Sequence, residues 1–212
     1  MAVLGVDLRA SLKKRSSIAV LDSQSHLTEL SSFFEDNELI KVVNDINPDV
    51  VAIGAPLNLP SGFCCLDQSC ECRFSEPNRK GRLLELELAK MGISCFYTNK
   101  GSIIRELIYR GIRLSQMLRD AGHNVIEVYP HASKMLLFGD KVPPKNSAAS
   151  ISYMIGHLTP LVPGMEDYTN DLDRNRCDSI INAYTGQLHT QSNTDILGDP
   201  NEGVLVLPKL PN

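Results

Sequence analysis

Residues 49–60, DVVAIGAPLNLP, constrain the fold more than any other stretch of the chain. Val50, Val51, Ala52 and Ile53 follow one another without polar alternation. A strand with one solvated face alternates apolar and polar side chains, whereas an uninterrupted run is the pattern of a strand covered on both faces. Such a strand needs helices on two sides of its sheet, so an α/β architecture is expected.

The rest of the chain supplies those elements. Residues 2–8 and 17–22 read as a hairpin-like pair of strands, with a third short strand over 26–31. Leu39, Val42, Val43 and Ile46 fall on one helical face. Ser32 with Glu35 offers a capping box for that helix, and Asn47-Pro48 ends it. Residues 60–99 read as an insertion that carries a cysteine cluster and an amphipathic stretch at 80–91. A long helix over 102–121 keeps Ile103, Ile104, Leu107, Ile108, Leu114, Met117 and Leu118 in helical spacing, and Gly122 terminates it. The strand NVIEVYP follows, then Pro143-Pro144 and a helix near 146–158. A last helix at about 173–189 carries Ile180, Ile181, Tyr184 and Leu188, and GVLVLP reads as a tail strand. This order implies one domain over residues 1–212, built on a mixed sheet flanked by helices, with the cysteine-containing insertion at about 60–99.

Composition narrows the class of function. With 42% apolar and 22% charged residues, the 212-residue chain is ordinary for a soluble globular protein. No apolar run has the length of a membrane span, and MAVLGVDLRA has no basic leader, so the expected location is the cytoplasm. A net charge of −4 argues against coating nucleic acid by bulk charge. It leaves room for a local basic groove, for which Lys13, Lys14 and Arg15, the group Arg79, Lys80 and Arg82, and the helix residues Arg105, Arg110 and Arg113 are candidates. Lys100 and Arg105 flank the start of the long helix, where phosphates also meet a helix N-terminus. The bland reading of each cluster is a solvated face. His131, His157 and His189 read first as surface or satisfied histidines, although one near a metal can move protons. Nothing in the sequence sets the oligomeric state.

Three carboxylates interrupt apolar surroundings. Asp7 closes the first strand in GVDLRASLKKRSSIAVLD, Glu127 lies inside VIEVYP, and Asp178 sits near the start of the last helix. Buried charges are costly unless paired or bound to metal. If the crossovers bring the two strands side by side, Asp7 and Glu127 meet at one sheet end and the last helix delivers Asp178 there. Clustered carboxylates repel one another until a cation neutralises them, and oxygen ligands of this kind suit Mg²⁺ or Mn²⁺. Two such ions, roughly 4 Å apart, activate water and stabilise the leaving oxygen of a phosphodiester. The alternative for each acid alone is an ion pair or cap, for Asp178 with Arg174 one turn back. The hairpin loop of Lys13, Lys14 and Arg15 should lie at the same sheet end as Asp7 and could guide a phosphate backbone.

Four cysteines crowd into FCCLDQSCECRF, in the order Cys64, Cys65, Cys70 and Cys72, with Cys95 further on. Cys65, Cys70, Cys72 and Cys95 could converge on zinc; a disulfide or redox role and ordinary thiols stay open beside it. No dinucleotide or Walker loop is present, and the glycine loops and length of an actin-like sugar kinase are missing.

The segments LGVDLRAS, SSIAVLD, VVAIGAPLNLPSG, YTNKGSIIRELIYRGIRL, VIEVYPHASKMLLFG, LDRNRCDSIINAYTG and LGDPNEGVLVLP, in this order, resemble the ribonuclease-H-fold predicted nucleases catalogued as domain of unknown function family 429. The site layout is similar to that of YqgF and RuvC resolvase-type nucleases. The resemblance implies a ribonuclease-H-like fold, a nucleic-acid partner, and Mg²⁺ or Mn²⁺ held by Asp7, Glu127 and Asp178. Two positions depart from it: Gly54 stands where many relatives carry aspartate, and Asn175 stands where they carry an acid one turn before Asp178. Asn175 would then offer an oxygen without charge. The expected activity is metal-dependent phosphodiester hydrolysis; a catalytically decayed nucleic-acid or protein binder and a zinc-bearing interaction module are the alternatives.

Overall fold

The computed structural model describes residues 1–139, 142, 143 and 149–209. Seven strands form one sheet: β1 Ala2–Asp7, β2 Ser16–Asp22, β3 Leu27–Phe33, β4 Val50–Ile53, β5 Val125–Val128, β6 Thr194–Asp199 and β7 Gly203–Pro208. Their spatial order is β3-β2-β1-β4-β5-β7-β6. The first three form an antiparallel meander, whereas β4, β5 and β7 run parallel to β1. Antiparallel β6 closes the far edge. A meander followed by parallel crossover strands in the order 3-2-1-4-5 is a ribonuclease-H-like sheet, here extended by the β6–β7 hairpin.

Helices cover both faces, as the apolar run of β4 demands. On one face, α1 (Asp36–Ile46) and α3 (Arg105–Asp120) pack Leu39, Val43, Leu114 and Leu118 against Leu4, Val6, Val51 and Ile53. On the other, α6 (Arg174–Thr190) lies across β1, backed by α4 (Pro130–Phe138) and α5 (Ala149–Leu158). The approach of α6 is close enough to require glycine. A β-carbon on Gly5 would fall 2.2 Å from the Ser179 carbonyl oxygen and 2.2 Å from the Ala183 nitrogen. This contact draws Asp178, next to Ser179, towards the end of β1. Residues 60–99 run between β4 and α3 and contain α2 (Leu83–Lys90), which packs Leu84 and Leu88 against Leu205 and Leu207 of β7. Among the described residues no helix is long and apolar enough to cross a membrane.

Several local expectations change. Ser32 does not cap α1, because β3 continues to Phe33 and pairs Ser32 with Ser17. Glu35 is the N-cap instead, and its backbone N–H donates to Glu38. The region after β5 holds a helix, α4, that apolar spacing alone did not reveal, and β6 is an additional strand. The start of the helix placed near 146–158 lies outside the described residues; α5 is described from Ala149.

Candidate functional site

Because β1, β4, β5 and β7 are parallel, their C-terminal ends share one edge of the sheet. Val6, Ile53, Glu127 and Leu205 form a row across it, and Asp7 lies one residue beyond Val6. Side chains along a strand point alternately to opposite faces. Asp7 therefore shares the face of Gly5, beneath α6. Glu127 shares the face of Val125, which packs with α1 and α3. A cavity of about 270 Å³ opens over this edge and is lined by Asp7, Arg9, Glu127, Tyr129, Arg174 and Asp178 among others.

Asp7 is the unsatisfied member. It is 8% exposed, and its Oδ2 is buried without a hydrogen-bond partner. Burial and then the neighbouring charge of Asp178 push its carboxyl up to about 7, against the opposing pull of Arg9, Arg174 and Lys134. Asp178, delivered by the first turns of α6, accepts at Oδ1 from Lys134 Nζ at 2.5 Å. Its Oδ2 lies 3.9 Å from Arg174 Nε, the pairing anticipated from the one-turn spacing. Lys134 comes from α4, and the only local signal for it in the sequence is a lysine one turn after a proline that can start a helix, followed by the apolar run Met135–Phe138. An orphaned buried carboxylate oxygen beside a second carboxylate fits one small, oxygen-preferring cation. Lys134 already neutralises part of Asp178, so this donor set suits one divalent ion better than two.

Glu127 departs from the expected site. Its Oε1 accepts from Arg82 Nη2 at 2.7 Å, and its Oε2 accepts from Arg82 Nη1 at 2.8 Å and from the Leu57 N–H at 2.8 Å. Both oxygens are thus engaged by a guanidinium on the opposite face from Asp7, and Glu127 is not free to share cations with Asp7 and Asp178. Burial works against the Arg82 charge, but Glu127 and Glu85 more than offset it and raise its pKa further. Asn175 Oδ1 accepts from Arg9 Nη1 at 3.1 Å, so its oxygen is engaged by an arginine that lines the cavity.

Gly54 has a physical reason. A β-carbon there would lie 2.4 Å from Asn182 Nδ2, which donates to the Val6 carbonyl at 2.8 Å. An acid at this position and Asn182 in its present place exclude each other. Gly54→Asp should therefore cost about 1–3 kcal/mol by overpacking. Combined with Asn182→Ala, it should cost less than the sum of the two single changes, as measured by urea unfolding midpoints.

The remaining candidates divide. Lys13, Lys14 and Arg15 are exposed in the β1–β2 hairpin, at the same sheet edge as Asp7, with Arg15 over the Phe34 ring at 5.4 Å. Lys100 is turned into the insertion, where Nζ donates to the Cys70 carbonyl and lies 5.7 Å from the Phe63 ring centre, so it does not wait at the start of α3 for a phosphate. Arg105 is exposed and pairs with Glu106 at 3.4 Å. Arg110 is buried and bonds Asp36 and the carbonyls of Arg9 and Phe34, a bracing role. His157 stacks on Tyr153 with ring centres 3.9 Å apart, and His189 Nδ1 lies 3.0 Å from Thr194 Oγ1. Cys65, Cys70 and Cys72 come together, but their fourth member is Cys64. Cys95 instead donates to the Glu85 carbonyl at the wall of the cavity, because it lies beyond α2.

The raised pKa of Asp7 gives a stability profile for the metal-free chain. Below the unfolded value of about 4, both states hold the proton and Asp7 contributes nothing. Between that value and about 7 the unfolded chain releases it while the folded chain keeps it, so stability falls as pH rises. Asp7→Asn should remove this slope, leave stability at pH near 4 unchanged and raise it by up to about 4 kcal/mol at pH near 8. Urea unfolding in a chelator at both pH values reads the effect.

No protein-family model and no curated protein matches the chain. Among solved structures, RuvC of Thermus thermophilus is similar at a TM-score of 0.45 and 12% sequence identity, over 91% of this chain and 97% of that one.

Proposed function

We propose that the chain is a divalent-cation-dependent phosphodiester hydrolase acting on nucleic acid, with Asp7 and Asp178 as the protein ligands of one Mg²⁺ or Mn²⁺. The observation that carries this reading is the buried, unpartnered Oδ2 of Asp7 beside Asp178 at the open edge of the sheet. A cation held there supplies positive charge to the scissile phosphate and to the attacking water. The chain supplies the rest. Lys134 fixes the rotamer of Asp178 by donating to its Oδ1. Arg9, steadied by Asn175, and Arg174 stand at the cavity wall, where they can take non-bridging phosphate oxygens. Arg82 and Glu127 brace the floor without adding net charge. The exposed Lys13-Lys14-Arg15 hairpin stands at the same edge and extends the basic track along a phosphate backbone.

The test is incubation of the chain with single-stranded, duplex and branched DNA and RNA in Mn²⁺. Cleavage of at least one substrate, abolished by chelator and by Asp7→Asn, is the expected result. Binding without cleavage of any substrate would favour a catalytically silent nucleic-acid binder. The neutralisation of Glu127 by Arg82 and the absence of an acid at Gly54 are the observations on that side.

A further inference from the structure

We infer that Cys64, Cys65, Cys70 and Cys72 form a tetrathiolate zinc site that holds the insertion together. The first reason is energetic. From Ser61 to Lys80 the chain forms no helix or strand, and Leu66 is the only buried side chain in that stretch. One buried leucine does not offset the ordering of some twenty residues, each costing on the order of 1 kcal/mol or more. Segments of this kind are held by a staple, either disulfides or a metal.

The second reason is geometric. The four Sγ atoms all lie within 4.8 Å of one another. Sulfur ligands at about 2.3 Å in a tetrahedron around zinc are separated by roughly 3.8 Å. The Cys64–Cys70 and Cys64–Cys65 separations, 3.5 and 4.0 Å, fall on either side of that value. Disulfides would instead sort the sulfurs into pairs about 2 Å apart.

The surroundings are built for the site. The ends of the loop are pinched where Ser75 N–H donates to Ser61 O, and Gly62, at φ +88°, passes so close to Arg73 that a β-carbon would meet its carbonyl oxygen at 2.2 Å. Asp67 accepts from the Ser69 N–H and hydroxyl, which fixes the turn between the two halves of the cluster. Zinc takes four thiolates with loss of their protons to solvent and no change in oxidation state, leaving a net charge of −2. The Lys100 ammonium, bonded to the Cys70 carbonyl, stands beside that charge. Leu66, between the ligand pairs, is tied to α3 by its N–H to the Tyr109 hydroxyl at 2.6 Å. The ion would therefore fix the insertion to the helix that carries Leu107, a cavity-lining residue. The inference does not depend on the hydrolase reading.

The test is metal analysis of the 212-residue chain purified under reducing conditions without chelator, followed by replacement of the metal with Co²⁺. One zinc per chain and the intense sulfur-to-cobalt charge-transfer absorption of a tetrathiolate are expected. Cys70→Ser and Cys72→Ser should lose the zinc, whereas Cys95→Ser and Cys177→Ser should keep it. Should a serine variant fail to fold, the cobalt spectrum of the unaltered chain still decides. Absence of bound zinc after incubation with Zn²⁺, a cobalt spectrum without thiolate absorption, or an intact mass short by the hydrogens of one or two disulfides would overturn the assignment.

Discussion

Arg82→Met should destabilise the chain by about 3–5 kcal/mol, the cost of leaving buried charges without their partner. Arg82 is 1% exposed and joins two carboxylates that are nearly as deep, Glu127 at 6% and Glu85 at 2%. Its Nε donates to Glu85 at 3.0 Å while its two terminal nitrogens hold Glu127. Glu85 is otherwise served by the Thr98 N–H and hydroxyl, and Glu127 by the Leu57 N–H, so neither has a second cation to turn to among the described residues. Methionine fills much of the volume but leaves two uncompensated charges under the sheet. The midpoint of urea unfolding at neutral pH reads the loss. Adding Glu127→Gln should recover part of it, since the pair then lacks one charge from each side; strictly additive losses would show that the two residues are not coupled. Glu127→Gln alone should weaken the fold while leaving cleavage by the folded fraction in place.

Asp178→Asn should have the opposite signature. Its expected effect is a loss of cleavage rate of about 10²–10⁴-fold, in the range seen when a group that stabilises transition-state charge is removed. The amide retains the shape and can still accept from Lys134 Nζ, so packing of α6 on β1 is preserved. What disappears is the negative charge that, with Asp7, attracts the cation. The divalent concentration giving half-maximal rate should rise as well, which separates a ligand from a residue that only shapes the cavity. An Asp178→Asn chain with undiminished cleavage would remove Asp178 from the site.

The contrast between these residues shows what a linear sequence reveals. Asp7 was legible because a carboxylate ends an apolar strand, and Asp178 because it interrupts an apolar helix face. Glu127 looked equivalent, yet its face could not be read: all four residues of β5 are buried, so no alternation marks which side each one takes. The register Ile53 to Glu127 sets it on the face of Ile53, where Arg82 bonds both of its oxygens. Lys134 was hidden because α4 is short, follows directly on β5, and has its helix start marked by Pro130 alone rather than by a long apolar period. β6 was hidden because an edge strand with half-exposed positions leaves little apolar signal. The sheet order itself was legible in outline, since the β1–β2 hairpin, the doubly buried β4 and the long helices dictate a covered mixed sheet. The cysteine grouping was legible as a cluster, but whether Cys64 or Cys95 completes it depends on the path of α2 between them.

The most direct test of the proposed site is the anomalous scattering of Mn²⁺ in crystals of the unaltered chain. A single peak within ligand distance of Asp7 and Asp178, with Glu127 still bonded to Arg82, is the predicted result. A peak on Glu127, or none at the Asp7 carboxylate at saturating Mn²⁺, would contradict it.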